Sequence, residues 1–115
     1  MSLFDALMNL KNQGRLDSFD MLDDKKAKVR LSLQPRQSVI SGKSVANFIV
    51  YMSDDYIIGS AMIAEAYQAP AARFVVYNNW DKVGEDAFNE AKRLDIEIYK
   101  FGDFGRRLDQ LKFIT

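Results

Sequence analysis

Cysteine and histidine are both absent from this chain of 115 residues. Their absence excludes disulfide frameworks, thiol nucleophiles, Ser-His-Asp triads and zinc sites built on Cys or His ligands. A general base can only be Asp, Glu, Lys or Tyr, and a metal can only be a hard cation held by oxygens. Proline and glycine are scarce, at 2 and 6 residues, and no internal repeat or low-complexity tract occurs. No apolar run approaches the roughly 20 residues of a membrane span, so no membrane association is expected. Met1 to Leu10 lacks a basic leading region and contains Asp5, unlike a signal peptide, and a cytoplasmic location is expected.

What remains is an ordinary globular composition, 48% hydrophobic and 28% charged, in a chain long enough for one domain. Net charge is zero but unevenly spread. Residues 1–24 carry five acids and two bases, residues 25–43 six bases and no acid, and the rest eleven acids and eight bases. A basic segment of that size suits phosphate contact, or equally a solvated hairpin facing its acidic flanks.

Ser2 and Asp5 resemble a helix cap, and Leu3, Phe4, Leu7, Met8 and Leu10 recur at helical spacing until Gly14, predicting a helix over about 3–13. Residues 15–26 are polar and Asp-rich, with Leu16, Phe19, Met21 and Leu22 as candidate anchors, and read as a loop with room for one helical turn. Val29, Leu31 and Leu33 alternate with Arg30 and Ser32 as in a half-buried strand. With turns at Pro35-Arg36 and Gly42, and extended character over Gln37 to Ile40, they predict an antiparallel hairpin with a basic outer face.

The runs Phe48 to Met52 and Phe74 to Tyr77 do not alternate and predict strands buried on both faces. Each is followed by an Asp and a helical pattern. Asp54 or Ser53 would cap a helix carrying Ile57, Ile58, Met62, Ile63 and Tyr67. Asp81 would cap one carrying Val83, Ala87, Phe88, Ala91 and Leu94. Ile96 to Tyr99 reads as a strand at the sheet edge, and Asp103 opens a last helix. The predicted order is αβββαβαβα, an α/β domain of three layers around a mixed sheet.

Several constellations carry possible chemistry. Gly42-Lys43-Ser44 looks like the end of a phosphate-binding P-loop, but Gln37 stands where that pattern needs its first glycine, and a strand follows; a plain turn explains it. No Gly-x-Gly-x-x-Gly occurs. Asp54, Asp55, Asn78, Asn79, Trp80, Asp81 and Lys100 would project from one end of the parallel strands, where carboxylates and a lysine could hold magnesium and a phosphorylated ligand. Helix capping competes for Asp54, Asp81 and Asp103. Trp80, the sole tryptophan, could stack on a base or pack its loop onto the sheet rim. Lys28, Arg30, Arg36 and Lys43 are the candidate nucleic-acid contacts. No aromatic residue interleaves with them to stack bases.

The segments Ala46-Asn47-Phe48-Ile49-Val50-Tyr51-Met52, Ala72-Arg73-Phe74-Val75-Val76-Tyr77-Asn78-Asn79, Ala87-Phe88-Asn89-Glu90-Ala91-Lys92-Arg93 and Asp95-Ile96-Glu97-Ile98-Tyr99 succeed one another as strand, strand, helix and strand. Over about 65 residues this pattern resembles the later core of Mrr-like restriction endonucleases, within the restriction-endonuclease-like superfamily. The resemblance implies a similar fold. Such nucleases place an acid in the early hairpin and a Glu-or-Gln, any residue, Lys triplet on the central strand. Here the central strand reads Ile49-Val50-Tyr51 and the predicted hairpin has no acid, so the resemblance implies a non-catalytic relative without metal or cofactor.

Two functions follow as expectations. The first is a restriction-endonuclease-like interaction module that touches DNA or another protein and forms a homo-oligomer. The second is a small Rossmann-like or flavodoxin-like ligand-binding domain or enzyme with its site at the strand ends. The sheet order separates them, because a hairpin beside the Phe48 strand favours the first and a fully parallel sheet the second.

Overall fold

The computed structural model describes residues 2–33, 44–53, 57–78 and 82–112. Its elements run α1 (Leu3–Asn12), β1 (Ser18–Met21), β2 (Lys26–Leu33), β3 (Ser44–Met52), β4 (Ile57–Ile58), α2 (Ser60–Tyr67), β5 (Phe74–Tyr77), β6 (Lys82–Val83), α3 (Glu85–Arg93), β7 (Glu97–Lys100) and α4 (Phe101–Lys112). Five strands form a mixed sheet in the order β1-β2-β3-β5-β7. The first three pair antiparallel as a meander, and β3, β5 and β7 pair in parallel.

Side chains alternate across a strand, so each strand feeds two cores. Val29, Leu31, Phe48, Val50, Phe74 and Val76 turn to one face and pack with α1 and α4. Tyr51, Val75 and Tyr77 turn to the other and pack with Ile63, Ala66, Ala87 and Ala91 of α2 and α3. This is the expected three-layer α/β arrangement with a mixed sheet. Phe74 sits at the centre of the first core, with ring centroids 5.0 Å from Phe48 and 5.5 Å from Phe104. Aromatic pairs of this geometry add about 0.5–1.5 kcal/mol each beyond their burial.

Helix α1 is bounded as its sequence predicts. Ser2 Oγ accepts the Asp5 N–H at 3.1 Å, and Gly14 takes φ 74° just past the helix, where Arg15 N–H returns to the Leu10 carbonyl at 2.9 Å.

Other expectations fail for physical reasons. Residues 18–21 form an edge strand rather than part of a loop. Only Phe19 is partly buried there, against Phe4 at 5.8 Å, so the strand's stability comes from its ladder with β2. Consequently the hairpin beside β3 is β1–β2, and it does carry acids, Asp20 on β1 and Asp23 and Asp24 in its turn. The expected strand over Gln37 to Ile40 and the Gly42 turn lie outside the described residues.

The expected caps at Ser53 or Asp54 and at Asp81 are not the observed N-caps, and Asp54 and Asp81 themselves lie outside the described residues. The N-caps are Gly59 for α2 and Gly84 for α3, because Ile57-Ile58 and Lys82-Val83 pair in parallel as a separate two-stranded sheet and delay both helices. Asp103 lies within the first turn of α4, which begins at Phe101 directly after β7.

Candidate functional site

Helices α2 and α3 pack on their face of the sheet over β3, β5 and β7, and the chain just past α2 reaches Lys26 at one end of β2. Strands β1 and β2 extend beyond that cover, and there β2 presents Lys28 and Arg30, both exposed. The register sets Lys28 between Asp20 of β1 and Ile49 of β3, and Arg30 between Ser18 and Asn47. Residues opposite one another in a ladder share a face, so Ser18, Asp20, Lys28, Arg30 and Asn47 form one polar patch. Lys28 and Arg30 enter no ion pair or side-chain hydrogen bond among the described residues. Arg36 and Lys43, the other two basic candidates, lie outside them.

Where the helical cover begins, the same face of β2 closes. Lys26, two residues before Lys28, is 7% exposed and lines a cleft of about 480 Å³ with Tyr51, Glu65, Asp23, Asp24 and Gln68. Sequence reasoning placed Lys26 only within the basic run and gave Tyr51 and Glu65 no role. The signal that could have found the group is the register, which sets Lys26 opposite Tyr51.

The polar atoms of this cleft are largely engaged. Lys26 Nζ donates to the carbonyls of Gln68 at 2.6 Å and Pro70 at 3.3 Å, just past the end of α2, where a cation is favoured by the helix dipole. Tyr51 Oη donates to Glu65 Oε2 at 3.0 Å. Asp23 Oδ1 accepts the backbone N–H groups of Lys25 and Lys26, each at 2.7 Å, and fixes the β1–β2 turn. Each of these groups holds one part of the fold to another. Among the described residues no group of three or more acids stands close enough to hold a metal ion.

The strand-end constellation is only partly in view. Asn78 directly follows β5, and Lys100 ends β7 opposite Tyr77, so the two come together at the same end of the parallel strands. Lys100 is exposed, and α4 starts at the next residue, which leaves no loop after β7 to build a pocket wall. Asp54, Asp55, Asn79, Trp80 and Asp81 lie outside the described residues. Burial, with the Asp103 carboxylate nearby, pushes the Tyr77 hydroxyl above its ordinary pKa of 10.0.

Compared with known proteins, the chain matches no family model, no curated protein and no solved structure. No helix among the described residues is long and apolar enough to cross a membrane.

Proposed function

We propose that this chain is a non-catalytic binding module of restriction-endonuclease-like type that contacts duplex DNA through the open half of its sheet. The observation that carries the proposal is the pair Lys28 and Arg30, exposed on a part of the strand face that no described helix covers and free of carboxylate partners among the described residues. Two cations on alternate residues of a strand lie roughly 6–7 Å apart, close to the spacing of successive phosphates along one DNA strand. Ser18 and Asn47 flank Arg30 and add neutral hydrogen-bonding groups of the kind that bind phosphate and sugar oxygens.

The antiparallel meander β1-β2-β3 beside parallel β5 supports the nuclease-like part of this reading over a fully parallel ligand-binding sheet. Its non-catalytic part rests on Ile49, Val50 and Tyr51 of β3, which on this reading correspond to the acid and lysine of a related nuclease and are neither. Of the acids in the β1–β2 hairpin, Asp23 is committed to the turn.

Fluorescence anisotropy of a labelled duplex tests the proposal. Binding at low ionic strength should weaken with salt, with a log–log slope of about −2 for Lys28 and Arg30 alone and about −4 if Arg36 and Lys43 join them. The double change Lys28→Glu with Arg30→Glu should abolish binding and leave the circular dichroism spectrum unchanged. Binding that is absent at low salt, or indifferent to the double change, overturns it.

A further inference from the structure

Strand β7 lies at the end of the main sheet, opposite in the sheet order to the polar patch. Glu97 N–H donates to the Arg73 carbonyl at 3.0 Å, and the register pairs Glu97 with Phe74 and Tyr99 with Val76. In a parallel ladder both backbone groups of a residue point to the same side and successive residues alternate. Glu97 and Tyr99 therefore bond to β5, while Ile98 and Lys100 point away from it.

One group near this edge is already used. Ile96 N–H donates to the Ala91 carbonyl at 2.8 Å, and α4 begins directly after Lys100. The groups left for a partner strand include the carbonyl of Ile96, both groups of Ile98 and the N–H of Lys100. An antiparallel copy of the same strand, related by a two-fold axis at Ile98, uses all of them. Ile98 exchanges N–H and carbonyl bonds with Ile98 of the second copy, and on either side a Lys100 N–H meets an Ile96 carbonyl. The pairing leaves none of these four groups over and does not call on the Ile96 N–H.

The side chains agree with that register. Phe88, Ala91, Lys92, Asp95, Ile96 and Ile98 line a groove of about 400 Å³ beside β7, and Phe88 is 49% exposed. The two-fold would bring two such grooves together over Ile98. It would also set Lys100 opposite Ile96 of the second copy, one residue from that copy's Asp95. Neither Lys100 nor Asp95 has an ion pair within its own chain among the described residues. Lysine on an edge strand usually discourages pairing, but here the symmetric register supplies a carboxylate for it.

We infer that the chain forms a two-fold homodimer by antiparallel pairing of β7 with β7 of a second copy, centred on Ile98. The inference does not depend on nucleic-acid binding. Sedimentation equilibrium of the full chain should give twice the chain mass at micromolar concentrations. Lys100→Glu, a change at an exposed position, should raise the dissociation constant about tenfold, because the two-fold repeats the repulsion from Asp95. Since the chain has no cysteine, Ile98→Cys should give a disulfide-linked dimer under mild oxidation, the paired Cα atoms lying about 5.5 Å apart. Lys28→Cys, on the far half of the sheet, should not cross-link. A monomer throughout, a dimer that Lys100→Glu leaves unchanged, or an Ile98→Cys chain that cross-links no faster than Lys28→Cys overturns the inference.

Discussion

Lys26 and Lys28 lie on the same face of one strand, two residues apart, and meet opposite fates. Alternation in the sequence identifies their face, but nothing local says that the end of α2 reaches over one and stops short of the other. That boundary is set by contacts across more than forty positions, Lys26 Nζ to the carbonyls of Gln68 and Pro70. Replacing Lys26 with methionine keeps an unbranched side chain one atom shorter and removes both bonds, leaving the two carbonyls without this donor. The loss should be about 1–3 kcal/mol. Lys28→Met, on the open face, should stay within about 0.5 kcal/mol of the parent. Paired urea denaturation curves check the contrast, and equal midpoints for the two variants would mean that Lys26 does not hold the end of α2. The same difference separates the two basic residues available to a phosphate from the one committed to the fold.

At the scale of elements, the long signals were legible and the short ones were not. The non-alternating runs of β3 and β5 and the apolar faces of α1 and α4 follow from composition and period alone. Strand β1 was hidden because Ser18, Asp20 and Met21 are exposed, so its existence depends on pairing with β2. The starts of α2 and α3 were misplaced because β4 and β6, two residues each, are stable only as a pair distant in sequence. Acidic capping does occur there, from an unexpected direction. Asp86, in the first turn of α3, accepts the Ser60 N–H of α2 at 3.2 Å, and a side chain on Gly84 would put its Cβ 2.5 Å from Asp86 Oδ1. One carboxylate thus serves the starts of two helices. The Ser60 backbone bond, foremost, holds its pKa below the ordinary 3.8. A lowered carboxylate pKa adds stability above the unfolded value and loses it as pH falls through the folded one. Asp86→Asn should therefore melt at a lower temperature than the parent at pH 7, and the gap should close below about pH 4. Thermal melts followed by circular dichroism at the two pH values test this, and a gap that persists in acid would show that the charge is not what α2 uses.

Over the whole molecule, the missing histidine and cysteine shape the response to pH. No side chain has an ordinary pKa between the carboxylates near 4 and the tyrosines and lysines near 10, so stability should be nearly level from about pH 5.5 to 9. The alkaline limb is set within the sheet. Tyr99 faces the α4 side, where burial foremost, then its bond to Glu97 Oε1 at 2.6 Å, raises its pKa above 10.0. Arg107 Nε donates to the same oxygen at 3.0 Å and opposes the shift in part. Tyr77, on the other face, is raised by burial and by Asp103. Between about pH 10 and these raised values the unfolded chain gives up protons that the folded chain keeps, so the unfolded state binds fewer protons and stability falls as pH rises. Tyr99→Phe removes one such group from both states. Its stability, measured by urea denaturation from pH 9 to 11, should decline less steeply than that of the parent. An equal decline in both would place the alkaline loss elsewhere.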